Sequence, residues 1–380
     1  MINIIMIFFI KVNKMQKNKI NNTNISNMYS IFTPEQLKSQ FPLTYVDQRI
    51  IKNSQDTIIN IIHKKDPRLL IICGPCSIND VNAALDYASK LKSLSAQLQD
   101  QLYIVMRVYL EKPRTILGWK GLINDPYMNA SYDIESGLKI ARRLLLQLIR
   151  MELPLATEIL NPNILQYIGE FFSWLSIGAR TTESQIHREI ASGTRVVVGF
   201  KNSTDGNFCN AINAVRSASV SHHYININAS GKVCLLHTQG NCNSHIILRG
   251  GKYPNYYPKD IAKCEREIRE IGLPLILMID CSHGNSSKDY RRQLDVIKSV
   301  IKQIKYGNKS IIGLMIESYI NSGNQVLDLS CSSSMQYGVS VTDACIDWET
   351  TKLVLQNLHE KLKPFLINRL EGSKWYDRNT

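Results

Sequence analysis

The sequence lacks any apolar run long enough to cross a bilayer, which takes ~20 residues. Met1 to Ile10 is apolar but short. Its lysines (Lys11, Lys14, Lys17, Lys19) follow the run, the reverse of a secretory signal. No membrane role is expected. No Gly-x-Gly-x-x-Gly turn opens a helix, so the signature of dinucleotide binding is missing. Zinc-finger spacing, an RNA-binding aromatic motif and blocks of like charge are missing too, so nothing marks a nucleic-acid partner. Cysteine is present without a pairing pattern: the count is 9, and the spacing is irregular. That argues against a disulfide frame and for reduced thiols in the cytoplasm. Acidic residues are the short side of the charge balance, 32 against 45 lysines and arginines, for a formal charge of +13. Many lysines sit beside Asn and Ile, as in Lys11 to Asn22 and Gln303 to Ser310. Most of the charge therefore reads as compositional drift, and functional charge is expected in local clusters.

What is present is a repeat of short apolar strands and helix-period segments. The candidate strands are Leu69–Cys76, Tyr103–Leu110, Leu153–Ile159, Trp174–Arg180, Val196–Lys201, His245–Arg249, Pro274–His283 and Ser310–Glu317. The helices between and after them are Val81–Leu94, Ile134–Arg150, Pro162–Phe172, Glu183–Ser192, Ala211–Ser219, Lys259–Ile271, Lys288–Lys305 and Trp348–Leu366. Continuous apolar runs such as Leu69-Leu70-Ile71-Ile72 suit strands covered on both faces. Eight strand–helix units predict an α/β chain folded as a (β/α)8 TIM barrel over residues 69–366. A doubly wound sheet is the alternative. Residues 31–68 form an N-terminal addition, and 222–241 read as a β-hairpin inserted before strand 6, turning at Ser230-Gly231. Residues 1–30 are expected to be a disordered extension, with Met28 as another start, and 367–380 a polar tail.

In such barrels chemistry gathers at the carboxyl ends of the strands. Those ends read Cys76, Arg107, Glu158, Arg180, Lys201, Arg249, His283 and Glu317. Arg107 and Lys112 belong to a stiffened cationic stretch that continues through Pro113, Arg114 and Thr115. Guanidinium forks held in a fixed plane grip phosphate or carboxylate. Converging cations need an anionic ligand to offset their repulsion, so the pocket is expected to hold phosphate. Cys76, His283, Glu317 and Asp343 are metal-ligand types. This mixed soft and hard set suits one divalent Mn, Fe, Co, Zn or Cu ion; no organic cofactor is expected. Each residue also has a blander reading. Cys73-Gly74-Pro75-Cys76 spells a thioredoxin-like turn but lacks the preceding Trp, and Cys76 alone reads as a buried thiol. Arg180 reads as a partner of Glu183, or as a cation beside a helix start at Thr181-Thr182 whose free N–H groups favour anions.

These motifs resemble the 3-deoxy-D-arabino-heptulosonate 7-phosphate (DAHP) synthases of the bacterial class I type. The carriers are Gly74 to Ile78, Met106 to Thr115, Gly118 to Pro126, Ile177 to Gln185, Gly199 to Asn202, Ile247 to Gly251, Cys281 to Ser286 and Thr342 to Cys345. Phe32 to Leu37, Leu155 to Glu158 with Asn161 to Asn163, and Asn285-Ser286 with Lys288 to Arg292 are most similar to the tyrosine-sensitive isoenzyme. Departures are Ser203 where the family usually has Gly, Leu110 for a usual Phe, and irregular residues 324–336. The resemblance implies metal-dependent condensation of phosphoenolpyruvate (PEP) with erythrose 4-phosphate, the entry step of the shikimate pathway to aromatic amino acids. It implies a PEP site of Arg107, Lys112, Arg180, Lys201 and Arg249 with Glu158 nearby. Lys112, Pro113, Arg114 and Thr115 would face erythrose 4-phosphate, with Lys112 the proton donor to its aldehyde. Cys76, His283, Glu317 and Asp343 would hold the metal. An aromatic effector, tyrosine first, and a homo-oligomer (dimer or tetramer) are also implied. The competing readings are a sibling synthase using arabinose 5-phosphate and an inactive phosphate-binding regulatory barrel.

Overall fold

Strands with no polar face need cover on both sides, and here they get it by closing on themselves. The computed structural model describes residues 24–114, 116, 118–327 and 335–370. In chain order the strands are β1 (Leu69–Gly74), β2 (Leu102–Arg107), β3 (Leu155–Glu158), β4 (Trp174–Ile177), β5 (Val197–Lys201), β6 (His223–Ile227), β7 (Val233–His237), β8 (Ser244–Leu248), β9 (Leu277–Asp280) and β10 (Ile311–Glu317). The helices are α1 (Pro34–Gln40), α2 (Tyr45–Ile62), α3 (Val81–Leu98), α4 (Ile134–Arg150), α5 (Ile164–Ile168), α6 (Gln185–Ser192), α7 (Cys209–Ala218), α8 (Pro258–Glu270), α9 (Gln293–Lys305) and α10 (Trp348–Leu366). β1, β2, β3, β4, β5, β8, β9 and β10 form a closed barrel in that order. All its pairings are parallel, and Leu70 opposite Gly313 through Gly74 opposite Glu317 closes it. The chain is thus a (β/α)8 barrel.

Most expected strands end sooner than their apolar runs, and two expected helices are much shorter than the sequence suggests. Pro162–Phe172 yields only α5 and a 3-10 turn, Gly169–Phe171. Lys288–Lys305 becomes a 3-10 turn, Tyr290–Arg292, before α9. Residues 24–33 carry no helix or strand. From Thr33 onward the described residues form one compact unit. No helix among the described residues is long and apolar enough to cross a membrane.

The N-terminal addition is structural. A capping box of Thr44 and Asp47 starts α2. Its buried positions Ile51, Ser54, Ile58 and Ile61 fall at helical spacing. Ile58, Ile61 and Ile62 join one core cluster with Leu70, Ile72, Val105, Trp174, Ile247 and Met315 of the barrel. β6 and β7 pair antiparallel as the inserted hairpin, and its tip is tied to α1 by Glu35 N donating to Ala229 O at 2.8 Å. The segment expected as a polar tail begins with a 3-10 turn, Ile367–Arg369. Arg369 is buried there and donates to Pro67, Arg68 and Ile311 carbonyls. The rest of that tail, and residues 1–23, lie outside the described residues.

Candidate active site

Four of the reactive residues close their strands: Arg107, Glu158, Lys201 and Glu317. The other four stand in the loops just beyond, because the ladders end sooner than the apolar pattern does. Cys76 follows β1, Arg180 β4, Arg249 β8 and His283 β9. His283 takes φ 56, a left-handed turn that redirects its ring. A cavity of about 620 Å³ opens at this end of the barrel. Its wall includes Arg107, Lys112, Pro113, Arg114, Glu158, Arg180, Lys201, Arg249, His283 and Asp343. Cys76 and Glu317 lie against it through Lys112 and Arg107. Thr115 lies outside the described residues.

The floor is a buried charge network. Arg107 donates to Glu317 Oε1 at 2.9 Å and to the carbonyls of Pro75 and Cys76 at 3.1 and 3.3 Å. Its guanidinium also lies 3.6 Å over the Tyr109 ring. Lys112 Nζ sits 3.2 Å from both the carbonyl oxygen and the sulfur of Cys76. Burial works against its charge, but Cys76 and Glu317 outweigh that and raise its pKa. Lys201 Nζ donates to Asp280 Oδ2 at 3.0 Å, and His283 Nδ1 lies 3.0 Å from the same oxygen. Burial disfavours the Asp280 carboxylate, yet His283 and Lys201 hold it well below the usual range. Burying ion pairs such as these is weak evidence for stability, so a binding role is the better account of them.

Cys76, Glu317 and Asp343 bring their ligand atoms within 4.8 Å of one another. His283 is not in that group, but its Nε2 lies 3.9 Å from Glu317 Oε1. Burial raises the Glu317 pKa, but His283, Arg107 and Lys112 reverse this and bring it to about 2, so it is anionic. Gln293 fixes its backbone, accepting from Glu317 N and donating to Glu317 O, each at 2.9 Å. Burial pushes the Cys76 thiol up to about 11. A divalent cation would reverse that by taking the thiolate as a ligand. The residues therefore fit a metal, and Asp280 behind His283 is the carboxylate partner that metal-binding imidazoles use.

Several alternatives lose ground. Cys73 bonds the Tyr87 hydroxyl at 3.3 Å while Cys76 faces Lys112, and burial raises both thiols to about 11. A redox turn needs the opposite shift. The expected helix start beside Arg180 is also corrected. Thr181 and Thr182 N–H groups donate to Gly178 O, and α6 begins only at Gln185. Turn formation used those donors first. Glu183 is held by Asn210 and by Ser203, which also bonds Asn210 at 2.8 Å. That network gives Ser203 a place where the family usually has Gly.

The cavity also shows residues that reading the sequence missed. Asp280, Ser282, Lys288, Tyr290 and Asn324 all bear on it. The strand pattern runs on to His283, whereas β9 ends at Asp280 and carries that buried carboxylate at its last position. Lys288 lies ahead of α9, which begins only at Gln293 and not at Lys288 as the helical period suggests.

A profile for the DAHP synthetase I family matches residues 44–356. The chain belongs to the DAHP synthetase I family. This DAHP synthetase I chain is 57% identical over 356 residues to "Phospho-2-dehydro-3-deoxyheptonate aldolase, Tyr-sensitive" of Escherichia coli (strain K12), covering 94% of this chain and all (100%) of the relative. Identity to the Phe-sensitive enzyme of the same organism is 46% over 339 residues, covering 89% of this chain and 96% of that one. A solved phospho-2-dehydro-3-deoxyheptonate aldolase from Francisella tularensis SCHU S4 superposes with a TM-score of 0.87 at 43% identity, covering 90% of this chain and 99% of that one.

Proposed function

We propose that this DAHP synthetase I chain condenses PEP with erythrose 4-phosphate and water, releasing phosphate and DAHP. The observation that carries the reading is a cationic cavity built around a Cys–Glu–Asp cluster at the carboxyl ends of the barrel strands. Two phosphorylated anions match its cations, and a weakly nucleophilic enol needs a polarised aldehyde. Cys76, His283, Glu317 and Asp343 would hold the divalent ion, which supplies Lewis-acid polarisation when bound. Arg107, Arg180, Lys201 and Arg249 clamp the phosphate and carboxylate of PEP, fixing C3 toward the aldehyde. Pro113 and Arg114 of the cavity wall face the aldose phosphate. As the C3–C1 bond forms, Lys112 Nζ gives its proton to the aldehyde oxygen. Water then adds at C2 and Glu158 accepts one of its protons; the C2–O bond to phosphate breaks as the new C2 hydroxyl passes its proton to the departing phosphate, leaving the C2 ketone. Gly178 makes room for that carboxylate, since a Cβ there would fall 2.3 Å from Glu158 Oε1.

Tyrosine is the proposed feedback effector, because identity is higher to a Tyr-sensitive relative than to the Phe-sensitive one. The eight cysteines among the described residues are free, which supports a reducing cytoplasm. A homo-oligomer, with 31–68 and 222–241 as additions to the barrel, completes the reading. The test measures phosphate release with each aldose phosphate, with and without chelator, and with each aromatic amino acid. Turnover with erythrose 4-phosphate, lost on chelation and inhibited most by tyrosine, is expected. Preference for arabinose 5-phosphate, or no PEP consumption with any of the candidate metals, overturns the reading.

A further inference from the structure

The inserted hairpin carries a feature that the barrel chemistry does not use. His223 and His237 face each other across β6 and β7. Thr238 N donates to His222 O, and Asn228 N to Lys232 O, each at 2.9 Å. Residues 222/238 and 228/232 are therefore hydrogen-bonded pairs, and alternation makes 223/237 a non-hydrogen-bonded pair. Such pairs hold their side chains closest, with Cβ atoms ~4.5–5.5 Å apart. The two rings meet with centroids 4.2 Å apart at 74°.

The other histidines are committed elsewhere. His63 meets Asn243, His187 meets Ser184, His245 meets Trp174, and His359 meets Asp100. His283 faces Asp280 in the cavity, and His222 turns to the opposite hairpin face, against Ser217 O. His223 and His237 are exposed, and the partner the structure shows for each is the other's ring. Their face continues as the pairs Ile225–Leu235 and Ile227–Val233, with no carboxylate among them.

We propose that His223 and His237 form a second metal site, a two-imidazole chelate for a borderline divalent ion such as Zn²⁺, Ni²⁺ or Cu²⁺. Two nitrogens at ~2.0–2.1 Å from one ion stand about 3.3 Å apart, a spacing that exposed rings on a close cross-strand pair reach by rotating. Hard ions such as Mg²⁺ prefer carboxylate oxygens, and β6 and β7 carry none on this face. The remaining coordination positions are left to water or to a donor from another molecule.

Equilibrium dialysis of the full chain against Zn²⁺ tests this. The wild type is expected to take up one more ion per chain than His223→Asn and than His237→Asn. Cys76→Ala, which alters the barrel cavity, is expected to retain the hairpin ion, so loss of the barrel site and loss of the hairpin site are told apart. Mg²⁺ should show no such difference. Equal Zn²⁺ uptake by the wild type and both hairpin variants overturns the site. Loss in only one variant overturns the paired chelate.

Discussion

Lys112 is the residue on which the proposed chemistry turns. Its Nζ touches the Cys76 sulfur, yet it also lines the cavity, so one ammonium reaches both the Cys76–Glu317–Asp343 cluster and the open cavity. Lys112→Met keeps the stem and removes the proton. The expected result is a fall in kcat of about 10²–10⁴ with near-normal folding by circular dichroism. Near-wild-type turnover at saturating substrates would place the donor elsewhere. His245 gives a second test, of stability instead of chemistry. It is buried inside the barrel with its Nε2 3.0 Å from Trp174 Nε1, and burial lowers its pKa from 6.5 to about 4. Between those values the unfolded chain binds a proton that the folded chain refuses. Stability therefore falls as pH drops from 6.5 toward 4 and is insensitive to this group above 6.5. The loss is on the order of 3 kcal/mol. His245→Gln keeps an acceptor and cannot titrate. Its unfolding midpoint should vary less with pH in that window than the wild type's. Parallel profiles would rule His245 out as a source of acid sensitivity.

At the scale of elements, the period of the sequence located the strands because their apolar runs answer to burial. It did not locate their ends, because burial continues past the last ladder bond. Cys281 is as buried as Ile279, though only the latter is in β9. That is why Asp280 went unnoticed while His283 did not. α2 shows the converse. Its sequence marked residues 31–68 as an addition, but nothing local says that Ile58, Ile61 and Ile62 share the barrel's own core. Only the closed barrel presents that apolar surface to them. The consequence is measurable. Ile58 is fully buried, at 0% exposure, so Ile58→Ala should cost about 2–5 kcal/mol, read as a lowered denaturation midpoint. Because no residue of α2 lines the cavity, kcat of the folded fraction should be unchanged. A loss under 1 kcal/mol would mean that α2 merely lies on the barrel.

For the whole molecule, the distribution of charge matters more than its sum. The formal +13 includes many lysines of no placed role, yet the cavity gathers Arg107, Lys112, Arg114, Arg180, Lys201, Arg249 and Lys288 from strand ends and loops spanning most of the barrel. Apart from Lys288, the sequence shows these cations one strand at a time. It could not show that Arg107 meets Glu317, 210 positions away, or that Lys201 meets Asp280, because those pairings exist only once the barrel closes. Closure also creates two classes of cation. Arg107 and Lys201 are neutralised in buried pairs that salt screens little, so the proposed hold on PEP there should not depend on ionic strength. The cations nearer the mouth act over distance through solvent, where the screening length is ~10 Å at 0.1 M and ~3 Å at 1 M. Attraction of two phosphorylated substrates should therefore weaken with salt while chemistry in the filled site does not. We expect kcat/KM for PEP to fall on the order of tenfold between low and high ionic strength, with kcat changing little. Steady-state kinetics across a KCl series reads both. If kcat falls in step with kcat/KM, the salt acts on the buried pairs, and the division into screened and unscreened cations is wrong.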